Sequence, residues 1–208
     1  NWKLNNLGKG WVLGETLITG IGQGYTQTTP IQLCLMTAQI ANGGYKIKPK
    51  ILTDDNQLNS EQIKEVIKNN NTNNSYISLF KDPRNIKIVK QAMFSSTNEI
   101  RGTSYKSRID DPKYQFAGKT GTAQVKRISK RERELDLKTS EIPYKDRDHA
   151  LYVAFGPYKN PDYALSIIVE HGGSGSVTAA PMATELFRLI IDRHQMRKKN
   201  INLKKSSI

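Results

Sequence analysis

Apolar residues recur at helical spacing in three parts of the chain. Thr29-Pro30-Ile31-Gln32 predicts the start of the first helix, because Thr29 is suited to cap it, Gln32 to reach back to the cap, and Pro30 to occupy the first helical position. Apolar residues then fall on nearly every side until Asn42-Gly43-Gly44, which predicts the helix end. A helix that is apolar all round is expected to be buried.

Two later segments have the same period. Pro83 to Phe94 predicts one helix, and a final helix is expected over roughly Ala180 to Met196, whose apolar residues share one stripe. Before these, the sequence predicts a short helix near Glu61 to Lys68 and an Asn-rich surface loop at Asn69 to Asn74.

Alternating and β-branched patterns predict three main strands. The first covers about Tyr114 to Val125, while Ala150 to Gly156 and Tyr163 to Glu170 are expected to form a hairpin across the turn Pro157 to Asp162. Tyr45 to Leu52 predicts a further short extended segment. Strands followed by a helix indicate an α+β fold in which helices flank an antiparallel sheet.

The length of 208 residues is enough for one sizeable core. We therefore expect one domain over residues 1–196, followed by a basic, disordered tail over residues 197–208. No run of about 18 apolar residues and no signal peptide is present. Because the first residue is Asn1 and not Met, we expect that an upstream segment belongs to the protein.

The formal net charge of +13 raises the question of a nucleic-acid partner. The basic residues are scattered, however, and the densest runs, Lys126 to Arg133 and Arg193 to Lys205, have the character of a polar loop and a tail. No aromatic RNA-binding signature or zinc-finger spacing accompanies them. We expect no nucleic-acid partner, and a basic surface near an anionic membrane or cell-wall polymer fits the charge equally well.

Candidate chemistry is concentrated in Lys119-Thr120-Gly121-Thr122, within the first predicted strand. Lys119 supplies a positive charge, and the Thr120 hydroxyl is a directed donor for a carboxylate oxygen. Gly121 leaves space for a peptide-like ligand against the strand. The backbone N–H of Thr122 is suited to a developing oxyanion, an interaction worth on the order of 3 kcal/mol in acyl-transfer enzymes. A solvated lysine beside a turn glycine is the alternative interpretation.

Other chemical motifs are weak. Gly20-Ile21-Gly22-Gln23-Gly24 lacks the spacing of a dinucleotide fingerprint, and Gly118-Lys119-Thr120 lacks the upstream glycine of a phosphate loop, since Lys113 stands there. Cys34 is interpreted as a small core residue. His149 and His194 have no metal-ligand spacing, and His171 beside Glu170 is interpreted as the end of a strand and not as a catalytic base. We therefore expect no cofactor and no metal.

Four separated blocks carry a family resemblance. They are Gly14-Glu15-Thr16 with Gly20 to Tyr25; Thr29 to Leu33 with Ala41 to Gly44; Ala117 to Gln124; and Val169 to Gly172 with Ala179-Ala180-Pro181. In order and spacing they resemble the transpeptidase domain of class B penicillin-binding proteins, most closely the penicillin-binding protein 2 group of the elongation machinery. The fold implied is an incomplete serine β-lactamase/transpeptidase-like domain, matched in its C-terminal part.

The resemblance implies a serine D,D-transpeptidase that cross-links peptidoglycan through an acyl-enzyme. Lys119 and Thr120 would hold the carboxylate of the substrate or of a β-lactam, and the Thr122 N–H would be half of the oxyanion hole. The implied partners are peptidoglycan stem peptides, β-lactams and a membrane glycosyltransferase of the elongation machinery. The implied location is the periplasmic face of the bacterial inner membrane, reached through an N-terminal anchor outside this chain.

The serine of the family motif S-x-x-K is not evident. Ser78-Leu79-Phe80-Lys81 matches the pattern, but Pro83 places Ser78 at a helix entrance, where a serine and lysine one turn apart are not expected. Ser96-Thr97-Asn98 matches the family's S-x-N, but it falls at the end of the predicted helix. We interpret both as chance matches and expect the nucleophile upstream, which would leave the 208 residues alone inactive.

Two alternatives remain open at the level of sequence. One is a non-catalytic remnant or interaction module, and the other is a β-lactamase-like relative. An upstream reading frame that encodes S-x-x-K and S-x-N would favour the enzyme over the remnant. Rapid loss of a penicillin label would favour the β-lactamase.

The isolated 208 residues are predicted to form no covalent adduct with fluorescent penicillin, because the nucleophile and half of the oxyanion hole are missing. Gel fluorescence after incubation measures this. A labelled band that disappears in Ser78→Ala would show instead that the chain carries its own nucleophile.

Overall fold

The computed structural model describes residues 1–49, 78–126, 134–135 and 137–206, with side chains to residue 197. The predicted helix near Glu61 to Lys68 and the loop Asn69 to Asn74 lie outside these residues. The α-helices of the described part are α1 (Trp2–Leu7), α2 (Leu13–Gly20), α3 (Pro30–Ala41), α4 (Pro83–Asn98) and α5 (Ala180–Ser206). Short 3-10 turns at Tyr105–Ser107, Thr139–Glu141 and Tyr144–Asp146 and a π-helical turn at Gly175–Ala179 connect them to the sheet.

The sheet confirms the predicted α+β fold. Its strands β1 (Ala117–Ala123), β2 (His149–Gly156) and β3 (Tyr163–Val169) are antiparallel in the order β1-β2-β3. The hairpin of β2 and β3 pairs Ala150 with Val169 and Gly156 with Tyr163. β1 is shorter than the predicted strand. Its pairing with β2 runs from Ala117 opposite Phe155 to Ala123 opposite His149.

Alternation along β2 divides the core into two layers. Ala150, Tyr152 and Ala154 point to the face covered by α5, where they meet Phe116 and Phe187. The opposite face carries Val153 and Phe155, which pack with Met93 of α4 and Ile40 of α3. The sheet is therefore covered by helices on both sides, and β1 is an edge strand between them.

The start of α3 is as predicted, but its burial is not. The Thr29 hydroxyl accepts from the Gln32 N–H, the Gln32 side chain accepts from the Thr29 N–H, and Pro30 begins the helix. Of its residues only Thr37 and Ala41 are buried, while Ile31 is 64% exposed. The prediction of a buried helix was wrong because one face packs on the sheet and the others line open clefts.

Two helices extend past their predicted ends. α4 continues to Asn98, and α5 continues to Ser206 where an end near Met196 was expected. The sequence after Met196 contains no Gly or Pro and is rich in Lys and Arg, which favour helix. The division into residues 1–196 and a tail stays a prediction.

The start of β1 is tied to α5 by polar contacts. The Tyr114 hydroxyl donates to the Asp192 carboxylate at 2.6 Å, and the Lys113 Nζ lies 2.7 Å from the same oxygen. Hydrogen bonds from Lys113 and then Tyr114 hold the pKa of Asp192 below its usual value. These contacts fix where the chain enters the sheet.

The N-terminal helices, for which the sequence patterns above predict no element, present apolar side chains to solvent. Trp2 is 56% exposed, and the larger exposed residues of this region also include Trp11, Leu13, Leu17 and Ile21. Within the described ranges, no helix combines the length and apolar character needed to cross a bilayer.

Replacement of Phe187 by alanine is predicted to lower the free energy of unfolding by about 3–5 kcal/mol, because its fully buried ring stacks on Phe116 with centroids 4.8 Å apart. Urea denaturation followed by circular dichroism measures the change. Leu189→Ala on the same helix is the control, since Leu189 is 66% exposed, and should change stability by less than about 0.5 kcal/mol. Equal losses of stability in the two variants would contradict the assignment of Phe187 to the buried layer between the sheet and α5.

Candidate active site

Among the described residues, the outer edge of β1 has hydrogen-bond partners at its beginning, whereas its outward N–H groups further along have none. The Gly118 N–H donates to Thr97 Oγ1 at 3.0 Å, and Asn98 Nδ2 donates to the Phe116 carbonyl at 2.9 Å. Both bonds come from the last turn of α4. Backbone groups of an edge strand alternate in direction, so the N–H groups of Thr120 and Thr122 point to the same outer side as that of Gly118.

Lys119 is exposed and shares a face with its register partner Val153. Its Nζ donates to the Thr120 carbonyl at 2.8 Å and lies 3.4 Å from Thr120 Oγ1. No ion pair joins Lys119 to any Asp or Glu of the described residues. An uncompensated cation therefore lies beside the open edge.

Hydroxyl groups continue from Thr120 to the end of α4. Thr120 Oγ1 lies 3.4 Å from Thr103 Oγ1, which lies 3.2 Å from Ser96 Oγ. Ser96, interpreted from sequence as a helix-end residue, is indeed in the last turn of α4, but it also lines the same cleft as Lys119. Neither Thr103 nor Thr97 was singled out as a site residue from the sequence, although Thr97 is the middle residue of the S-x-N-like match and Thr103 follows that match by five residues.

Two clefts meet at β1. We call the first the lysine cleft, a largely apolar space of about 580 Å³. Its lining includes Lys119, Thr103, Ser96, Met36, Ile40, Met93 and Val153. We call the second the amide groove, which measures about 800 Å³ and is more polar. Its lining includes Gly121, Thr122, Gln124, His149, Gln23, Gln27 and Gln32. Lys119 thus lines the apolar cleft and Gly121 and Thr122 line the more polar one, with Thr120 between them in the strand.

Two glycines of the strand permit close packing. A Cβ at Gly118 would lie 2.3 Å from the Tyr152 hydroxyl. A Cβ at Gly121 would lie 3.3 Å from the Cβ of Leu151. Gly175 also packs against this strand, since a Cβ at Gly175 would lie 2.7 Å from the Gly121 carbonyl oxygen. Gly121 therefore serves backbone packing, and its role in the approach of a ligand stays a prediction.

The histidines have structural partners. The His171 N–H donates to His149 Nδ1 at 2.9 Å, and His171 Nδ1 lies 3.0 Å from the Arg147 carbonyl. His171 follows the end of β3 and has a φ of 55°. No cluster of His, Cys, Asp and Glu suited to a metal occurs among the residues described. Cys34 is half-buried, and burial raises the pKa of its thiol.

Ser78 and Lys81 do not form a helical pair. Ser78 is exposed, its Oγ accepts from the Phe80 N–H and donates to the Phe80 carbonyl, and α4 begins only at Pro83 after the cap Asp82. The S-x-x-K geometry, in which one helical turn brings the amine to the hydroxyl, is therefore not formed here.

Replacement of Gly118 by alanine is predicted to lower the free energy of unfolding by about 1–3 kcal/mol, because the added methyl group overlaps the buried Tyr152 phenol. Thermal denaturation checks this. Gly14→Ala is the matched control, since no atom lies within 4 Å of a Cβ there and Gly14 is in α2; it should be neutral or stabilising. A neutral Gly118→Ala would contradict the close approach.

Comparison with known proteins identifies the family. Residues 3–191 match the family described as penicillin binding protein transpeptidase domain. Peptidoglycan D,D-transpeptidase MrdA of Salmonella typhimurium is 36% identical over 193 residues, which are 92% of this chain and 29% of that protein. The chain therefore spans less than a third of that relative's length.

Solved structures support the same family assignment. Penicillin-binding protein 2 of Pseudomonas aeruginosa, in complex with WCK 5153, superposes with a TM-score of 0.65 at 36% identity, covering 90% of this chain and 35% of that one. The Helicobacter pylori protein in complex with MreC gives a TM-score of 0.62 at 31% identity, covering 90% and 30%. With a family match over most of its length, this chain belongs to the penicillin-binding protein transpeptidase family.

Proposed function

We propose that the chain forms the substrate-binding wall of a peptidoglycan D,D-transpeptidase, a serine acyltransferase of cell-wall synthesis that β-lactams inhibit. The observation that carries the proposal is the open edge of β1, with outward N–H groups at Thr120 and Thr122 beside a lysine that no carboxylate of the described residues neutralises. A peptide that ends in a carboxylate matches both features, because it adds as a strand and brings the counter-charge.

The proposed roles follow from the chemistry of each group. The Lys119 amine and the Thr120 hydroxyl hold the carboxylate of the terminal D-alanine or of a β-lactam. The Thr122 N–H donates to the oxyanion that forms when the scissile carbonyl becomes tetrahedral. Gly121 keeps the strand backbone accessible between them. The side chains along the amide groove then contact the rest of the stem peptide.

The reaction proceeds in two acyl transfers. A serine hydroxyl attacks the carbonyl carbon of the penultimate D-alanine, the C–N bond to the terminal D-alanine breaks, and that amine leaves with a proton. An amine of a neighbouring stem peptide then attacks the serine ester, which forms the cross-link and restores the hydroxyl. We propose that this serine lies in an S-x-x-K segment upstream of these residues, so that the 208 residues alone are inactive.

The proposed setting is the periplasmic face of the bacterial inner membrane, reached through an N-terminal anchor in the longer protein. A membrane glycosyltransferase that polymerises the glycan strands is the proposed functional partner. The similarity to a penicillin-binding protein 2 that forms a complex with MreC supports a place in a multi-protein assembly.

In the full-length protein, Lys119→Met is predicted to slow acylation by fluorescent penicillin by at least about 100-fold, because the cation that orients the carboxylate and tunes proton transfer is lost. Stopped-time labelling and gel fluorescence give the rate. The matched control is Lys81→Met, which removes an exposed lysine outside both clefts and should label as the wild type does. Wild-type labelling of Lys119→Met, or loss of labelling in Ser78→Ala, would contradict the proposal.

A further inference from the structure

Beneath the strand that carries Lys119 lies a cluster of three buried hydroxyl groups. Thr97 is 0% exposed, Ser104 1% and Tyr152 0%, and they come from α4, the turn after it and β2. Buried hydroxyls are costly unless each is hydrogen-bonded. Their partners are one another and backbone groups of Met93, Ser96 and Gly118.

The Tyr152 hydroxyl lies 3.0 Å from both of the other two hydroxyl oxygens. Ser104 Oγ donates to the Ser96 carbonyl at 3.0 Å, so its only proton is committed there. The Tyr152 hydroxyl, 3.0 Å from Ser104 Oγ, must then donate to Ser104. Thr97 Oγ1 lies 3.0 Å from the Tyr152 oxygen and 3.4 Å from the Met93 carbonyl, either of which can take its proton, and it accepts from the Gly118 N–H at 3.0 Å. Burial raises the pKa of the Tyr152 phenol, which keeps its proton available.

Gly118, whose N–H donates to Thr97, is the residue directly before Lys119. The Gly118 N–H is the edge group that a ligand strand would otherwise pair with, and Thr97 occupies it. Tyr152 fills the space where a side chain at position 118 would lie, with its hydroxyl 2.3 Å from the site of a Cβ. Strand β1 is thus held on two sides at Gly118, whereas the outward N–H groups of Thr120 and Thr122 have no partner among the described residues.

We propose that Thr97, Tyr152 and Ser104 form a positioning network that fixes the backbone at Gly118, and thereby the place of Lys119, and that closes the strand edge to ligand one residue before that lysine. The proposal rests on the proposed function, in which Lys119 contacts the ligand carboxylate. The three hydroxyls touch neither ligand nor reacting atoms and act through the strand.

The network sets a limit on ligand register. A peptide that adds to β1 finds outward groups at Thr120 and Thr122 but none at Gly118, so its carboxylate end is stopped beside the Lys119 amine and cannot slide further along the edge. A strand without such a stop would accept a peptide in two registers, since backbone pairing alone repeats every two residues.

The test uses the full-length protein and compares Thr97→Val with Thr97→Ser. Valine keeps the shape of threonine and removes the hydroxyl, whereas serine keeps the hydroxyl. Thr97→Val is expected to lower the second-order rate of acylation by fluorescent penicillin by about 10- to 100-fold, the loss that a displacement of up to ~1 Å produces. Thr97→Ser is expected to retain most of the rate, and Tyr152→Phe is expected to resemble Thr97→Val.

A variant that is less stable but still folded distinguishes a positioning role of Thr97 from a general loss of stability. Ile86 is 3% exposed and belongs to the first turns of α4, far along the helix from Thr97. Ile86→Ala should lower the melting temperature without slowing acylation, when rates are measured well below melting. The positioning role is wrong if Thr97→Val is acylated at the wild-type rate, or if its acylation slows no more than that of Ile86→Ala.

Hydrogen exchange provides a readout that does not depend on activity. Mass spectrometry of a peptide that covers Phe116 to Thr120 should show one additional fast-exchanging amide in Thr97→Val and none in Ile86→Ala. An unchanged rate of amide exchange in this peptide would contradict the proposed network. If the wild type itself takes no penicillin label, the proposed function fails, and exchange alone then decides whether Thr97 holds the Gly118 amide.

Discussion

The antiparallel register of β1 against β2 is the constraint on which the site depends. Because Gly118 lies opposite Ala154 and Thr120 opposite Tyr152, the Tyr152 ring reaches beneath Gly118, and only a glycine leaves room for its hydroxyl. The same register directs Lys119 to the face of Val153 and the lysine cleft. A shift of one residue would reverse every side chain of β1 and place the lysine in the α5 core.

Around this register, the fold creates an edge strand with two different halves. Its first half is closed by Thr97 and Asn98, which take the places of strand partners at Gly118 and Phe116. Its second half is open and lies between an apolar cleft and a polar groove. Protein sheets usually protect such an edge against association with other strands. Here the free edge is compatible with a peptide ligand, and a cation without an ionic partner among the described residues lies at the point where the closed half ends.

Much of this arrangement was predictable from sequence, for physical reasons that are local. The Thr29 cap with Gln32 and the β2–β3 hairpin depend on neighbours in the chain, and both were predicted correctly. The burial of α3 was predicted wrongly, because the apolar pattern shows which residues avoid water but not which partner covers them. α5 continues to Ser206 where an end near Met196 was predicted, because basic residues without an apolar stripe can still extend a helix. Thr97, Ser104 and Tyr152 could not be found, since each is an unremarkable residue until the tertiary fold brings their hydroxyls within 3.0–3.3 Å.

The open half of β1 is the proposed ligand-binding wall. A crystal structure of the full-length protein acylated by a penicillin would show whether the ligand lies there. We expect the ligand carboxylate within hydrogen-bonding distance of Thr120 Oγ1 and near Lys119 Nζ, with the ester carbonyl oxygen at the Thr122 N–H. An acyl group bound away from β1, or a carboxylate that contacts neither Thr120 nor Lys119, would contradict it.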